Sequence, residues 1–145
     1  MIVASTALYS SYSDVYVLTP ENFDNVVLNS DKVWVVQFYA PWCKGCQKLV
    51  PEYSKAALAL RGVAQVGAVD AIEHKSLSEQ YNVQGYPTIK IFSIDKKSPQ
   101  DFSGPRTAQG IVESAFSAAK NLVLSKLGVH SKTKILFDPN ANSQQ

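Results

Sequence analysis

Cys43-Lys44-Gly45-Cys46 holds both cysteines of a 145-residue chain. No other side chain can supply a thiolate, so any sulfur chemistry runs through this pair. Three uses compete: a structural staple, half of a metal clamp, or a reaction centre. A bridge between residues so close in sequence closes too small a loop to restrict the unfolded chain. A chain of this length that is 46% hydrophobic can also bury a core without one. A structural zinc takes four ligands, and the two histidines, His74 and His130, are the remaining nitrogen candidates. Thiol–disulfide exchange asks for less: one activated thiol and a second within reach. A helix beginning at Cys43 offers both, because i,i+3 spacing puts the sulfurs on one side at bridging distance. Free N–H groups and the helix dipole favour a thiolate at Cys43, and Lys44 adds a cation beside it. Cys46, one turn in, is expected to be more buried and to titrate higher. Cys43 would attack and Cys46 would resolve the mixed disulfide. The redox use is the one these residues favour.

The elements that must hold the pair are readable around it. Val33 to Ala40, "VWVVQFYA", is a nearly unbroken apolar, β-branched and aromatic run suited to a central strand covered on both faces. From Lys44 to about Arg61 the period becomes helical, with Cys46, Leu49, Val50, Tyr53, Ala56, Ala57 and Leu60 on one face. Pro51 inside that pattern predicts a kink, and Gly62 a stop. Upstream, Val15 to Leu18 reads as a short strand. Thr19-Pro20 then starts a helix carrying Phe23, Val26 and Val27. Downstream come a strand over Val63 to Ile72, a short helix around Leu77 and Tyr81, and a strand over Thr88 to Ile94. Asp101 to Ser103 is expected to pair beside that strand. A last helix carries the stripe from Ile111 to Leu127 and ends at Gly128. The order is βαβαβαββα: an α/β chain with a central mixed sheet flanked by helices on both faces. The cysteines fall where a central strand gives way to a helix, a common place for chemistry in such folds.

Composition excludes several classes. A net charge of +2 with scattered Lys and Arg gives no nucleic-acid footprint. No apolar run approaches the roughly 18 residues of a membrane span. Residues 1–13 read as a leader remnant or flexible N-terminus, 14–128 as the catalytic domain, and 129–145, ending in "DPNANSQQ", as a flexible linker or tail. With neither a full leader nor a retention signal in view, a piece of a longer protein is expected.

The segment "VVQFYAPWCKGCQKLVPEY" resembles the active-site stretch of the thioredoxin superfamily, and Phe38-Tyr39-Ala40-Pro41-Trp42-Cys43 resembles its protein disulfide isomerase branch. "YNVQGYPTIKIF" is similar to the second family signature and "SGPRTAQGIV" to the Gly-x-Arg segment before the last helix. "LYSSYSDVYVLTPENF" and "VGAVDA" resemble the first catalytic domain of isomerases that open with two such domains. The resemblance implies a thioredoxin fold, with Cys43 as nucleophile and Cys46 as resolving thiol. It implies that Pro87 is a cis-proline whose loop faces the cysteines and pairs with substrate backbone, with Tyr86 before it and Trp42 as the apolar lip. Without the resemblance, Tyr86-Pro87 reads equally as an ordinary turn. Arg106 matches an arginine that can swing toward the resolving cysteine and lower its pKa; a solvated loop arginine is the alternative. Pro51 matches a kink proline. Asp70 and Glu73 read as solvated or helix-capping.

Two positions depart from the pattern. The isomerases usually carry Gly-His between the cysteines, where this chain has Lys44-Gly45. Losing that histidine predicts a more stable disulfide and a less oxidising site. The family usually has Asp or Glu beneath the resolving cysteine to relay its proton; Gln37 cannot titrate. Sluggish activation of Cys46, through water or Arg106, is expected. A hydrogen-bonded polar residue in a buried strand is the plainer reading of Gln37.

The expected activity is thiol–disulfide oxidation, reduction or isomerisation in unfolded or misfolded client proteins bearing cysteines, in the endoplasmic reticulum lumen. No cofactor beyond the cysteine pair is expected, and glutathione or a thiol oxidase is expected as redox partner. The rivals are a general thioredoxin-like reductase and a redox-weak chaperone or binding module.

Overall fold

A computed structural model of the protein describes residues 7–128; the expected tail, His130 and the first six residues lie outside the described residues. The strands are β1 (Tyr16–Leu18), β2 (Trp34–Tyr39), β3 (Gln65–Asp70), β4 (Thr88–Phe92) and β5 (Gln100–Asp101). The helices are α1 (Pro20–Phe23), which runs on through a wider turn over Asp24–Leu28, α2 (Lys44–Ala59), α3 (Lys75–Gln80) and α4 (Ala108–Ser125). The sheet order is β1-β3-β2-β4-β5, with β1, β3 and β2 mutually parallel, β4 antiparallel to β2, and β5 antiparallel to β4. This is the mixed sheet of a thioredoxin fold.

β2 is buried over its whole length because both of its faces are covered. Val33, Val35 and Tyr39 join the core with Cys46, Leu49, Tyr53 and Ile111, on the side of α2 and α4. Trp34, Val36 and Phe38 join Phe23, Val27, Leu77 and Phe92, on the side of α1 and α3. The alternation of a strand thus divides one apolar run between two cores. Tyr53, fully buried, ties α2 to the sheet: its hydroxyl lies 3.1 Å from the Val35 carbonyl and 2.7 Å from that of Gly67. Pro51 sits within α2, and the chain leaves the helix through Gly62 at φ +80°. The side chain of Thr107 caps α4 by accepting the Gly110 N–H at 3.0 Å. Glu52 of α2 accepts the Ala108 N–H at 2.8 Å, fastening the start of α4 to the cysteine-bearing helix. No helix among the described residues is long and apolar enough to cross a membrane.

Three details differ from the sequence expectations. β5 pairs over Gln100–Asp101 rather than 101–103, because Phe102 turns into the core after its N–H bonds the Ile89 carbonyl at 2.8 Å. The first helix widens after Phe23: the Asn29 N–H reaches back five residues to the Asp24 carbonyl at 3.0 Å. The packed structure also starts ahead of residue 14. Tyr9 is 5% exposed, its ring against Tyr39 and Tyr53, so this residue ahead of β1 joins the core while Ser10 to Ser13 stay exposed.

Candidate active site

Ala40 ends the central strand, and the chain turns through Pro41-Trp42 so that Cys43 becomes the N-cap of α2. The Cys43 sulfur accepts the Cys46 N–H at 3.1 Å, one of the amides that a helix start leaves unpaired. Its own S–H faces the Tyr86 carbonyl at 3.7 Å. Cys43 is half-buried, Cys46 fully buried, and both are free thiols. Burial pushes the Cys46 thiol up to about 12, with the Cys43 contact adding to the rise; the Ala40 backbone and the Arg106 charge pull weakly the other way. The two sulfurs therefore differ as exchange chemistry requires: one half-buried at the helix start between an amide and a carbonyl, the other fully buried behind it with its pKa raised.

The loop before β4 forms the opposite wall. The Tyr86–Pro87 peptide is cis, and the Tyr86 ring stands edge-on to Trp42 at 6.1 Å and 90°. Trp42 is 66% exposed, a large apolar surface left open beside the reactive sulfur. Lys44 projects into solvent. A Cβ added at Gly45 would lie 4.0 Å from the Cys43 sulfur and 3.6 Å from Pro87 Cδ, so this position looks onto both. Arg106 is exposed and donates from Nη2 to the Pro87 carbonyl at 3.3 Å. It is bound to the proline loop, and its effect on Cys46 is the smallest of those acting there.

Gln37 is wholly buried, and its side chain contacts Tyr9, with Oε1 3.2 Å and Nε2 3.4 Å from the hydroxyl. Sequence reasoning missed Tyr9; the available signal was its place in "LYSSYSDVYVLTPENF", a segment already matched to the family. Asp70 caps the turn after β3 through Oδ1, accepting the Ile72 and Glu73 N–H groups at 3.0 Å each. His74 lies at the start of α3 against Glu73, at 3.8 Å. Among the described residues no group of three or more His, Cys, Asp or Glu side chains is arranged to hold a metal ion.

Comparison with known proteins agrees with this geometry. The thioredoxin family model matches residues 14–117. The chain is 54% identical over 127 residues to the protein disulfide-isomerase A6 homolog of Caenorhabditis elegans, covering 88% of this chain and 29% of that protein. It is 54% identical over 129 residues to human protein disulfide-isomerase A6, covering 89% of this chain and again 29% of the relative. It thus spans less than a third of the length of these curated relatives. Among solved structures, the first thioredoxin domain of mouse protein disulfide-isomerase A4 superposes with a TM-score of 0.66 at 38% identity, covering 73% of this chain and 76% of that one. The J-Trx1 fragment of ERdj5 gives 0.70 at 28% identity, covering 76% and 52%. In fold, matched length and cysteine spacing, this chain belongs to the thioredoxin family.

Proposed function

We propose that this chain is a thiol–disulfide oxidoreductase and isomerase domain acting on disulfides of folding client proteins. One observation carries the reading: the half-buried Cys43 sulfur caps α2 by accepting the Cys46 N–H at 3.1 Å, while Cys46 behind it is fully buried. Cys43 attacks a client disulfide and forms a mixed disulfide. Cys46 then attacks Cys43, releasing the client thiol and leaving the Cys43–Cys46 bond; the reverse sequence donates a disulfide. Trp42 and Tyr86 supply an apolar lip for the client, and the Pro87 loop faces its backbone. Lys44, Gly45, Arg106 and Gln37 tune the pair. Lacking a histidine between the cysteines, the site is less oxidising than a Gly-His site.

Residues 14–128 with the docked Tyr9 form the catalytic unit. Clients are unfolded or misfolded chains with cysteines, and glutathione or a thiol oxidase resets the pair. The endoplasmic reticulum lumen, where disulfides form, is the compartment. Insulin reduction and refolding of scrambled ribonuclease test the reading with Cys43→Ser as the control. Both activities are expected to fall to background in the variant. Activity that survived the substitution would replace the enzyme with a binding module.

A further inference from the structure

The Trp42 indole is largely exposed, and its aromatic partner is Tyr86, edge-on at 6.1 Å. A buried ring is held by packing on every side. An exposed one takes its direction from the backbone that carries it. That backbone is a four-residue turn, closed by the Cys43 N–H bonded to the Ala40 carbonyl at 3.1 Å. Pro41 and Trp42 are its two central residues, joined by one planar peptide. The proline ring fixes φ at Pro41. The tilt of the joining peptide then depends on ψ at Pro41 and φ at Trp42, which the closing bond constrains only loosely. Tilting that peptide swings the Trp42 Cα–Cβ bond, and the indole with it. A hydrogen bond at the peptide's own carbonyl removes the freedom, and Gln47 supplies one: its Nε2 donates to the Pro41 carbonyl at 2.8 Å. A carbonyl needs a donor, so the amide must present its N–H₂ there rather than its oxygen. Gln47 stands at the end of the first turn of α2, where its backbone N–H bonds the Cys43 carbonyl at 3.0 Å. One residue thus grips the chain on both sides of Trp42, by main chain at Cys43 and by side chain at Pro41.

We infer that Gln47 is a positioning residue for client binding: its side-chain amide fixes the Pro41–Trp42 peptide and so holds the indole beside Tyr86 as the face on which a protein client rests. This role rests on the proposed reading of Trp42 and Tyr86 as the client's lip. Pre-setting an exposed ring lowers the ordering cost that a client would otherwise meet on binding. The benefit is selective by size. A protein client lies across the indole, whereas a small aliphatic disulfide needs the Cys43 sulfur alone. Gln47 therefore acts on how large clients are held and leaves the sulfur exchange itself unchanged.

The test compares a large and a small disulfide. Insulin is reduced with dithiothreitol as the terminal reductant, and the reduced protein is oxidised in a single turnover by hydroxyethyl disulfide, followed by thiol trapping. Gln47→Met keeps the side chain's length and neutrality and removes the donor. The insulin KM is expected to rise about fivefold with kcat within about twofold. The rate with hydroxyethyl disulfide should also stay within about twofold. In nitrogen relaxation spectra the Trp42 indole N–H should lose order, while the buried Trp34 indole in the same spectrum keeps its own. Trp42→Ala should raise the insulin KM at least as far, and the double variant should be no worse than Trp42→Ala alone. An unmoved insulin KM or an unmoved Trp42 indole in Gln47→Met would overturn the inference. So would an equal slowing with hydroxyethyl disulfide, or losses that multiply in the double variant. An insulin KM unmoved by Trp42→Ala would overturn the lip reading as well.

Discussion

Gly45→His restores the side chain that related sites carry between the cysteines, and its effect can be worked from the geometry. The new Cβ would start 4.0 Å from the Cys43 sulfur, in ordinary contact with Pro87 Cδ at 3.6 Å, so the residue can be accommodated. A protonated imidazole reaching about 5 Å from a thiolate gains ~3 kcal/mol at an effective dielectric of about 20. The site is open to solvent, and screening leaves roughly half of that, ~1.5 kcal/mol. The gain falls on the reduced form, whose thiolate it stabilises, so the disulfide becomes the stronger oxidant. For a two-electron couple the shift is upward by ~30 mV. Equilibration against glutathione buffers, read by trapping free thiols and weighing the products, measures it. The increment should shrink toward about pH 8.5, as the imidazole loses its proton. Gly45→Ala adds the Cβ without the charge and should leave the potential within about 10 mV of wild type, about a third of the ~30 mV that a tenfold change in equilibrium constant makes. A Gly45→His potential at or below wild type would refute the electrostatic reasoning, and an equal rise in Gly45→Ala would assign the effect to shape.

Gln37→Glu places a carboxyl against the Tyr9 hydroxyl in a buried pocket, where desolvation raises its pKa toward neutrality and lets it accept the Cys46 proton. Turnover in oxidase and isomerase assays is expected to rise by about tenfold or more; unchanged turnover in both would reject the idea that Gln37 slows this site. Tyr53→Phe removes the single hydroxyl proton shared between the Val35 and Gly67 carbonyls, and should cost about 1–2 kcal/mol in denaturant unfolding. A loss below about 0.5 kcal/mol would mean that water replaces the hydroxyl there.

The parts of this fold that were legible in the sequence are those where local pattern and burial agree. Val33 to Ala40 had to be a central strand because every residue in it is apolar or tolerates burial, and β2 is buried throughout. The α2 stripe placed Cys46 inward and left Cys43 at the helix start, which is the asymmetry of the site. The pairing of Tyr9 with Gln37 was not legible because the two lie 28 residues apart and Tyr9 stands between Leu8 and two serines with no periodicity to assign it a face. Arg106 posed a choice between a swing toward Cys46 and a solvated loop position; it is exposed and donates to the Pro87 carbonyl, a partner set by loop geometry that residue types do not carry. The widened turn after Phe23 left no trace because Phe23 and Val27 keep a helical spacing through it.

The short margins of the sheet have a consequence for the proposed action on unfolded chains. Such chains present β-prone segments that join any long open edge as an extra strand. Here one edge is the three-residue β1 and the other the two-residue β5, where the Asp101 carboxylate is bonded to Lys90 at 2.6 Å. Neither offers a ladder on which a captured chain could accumulate. Under the proposed function, a client would instead meet the Trp42 end, where hold and release would be set by one exchangeable sulfur bond rather than by a growing stack of backbone contacts.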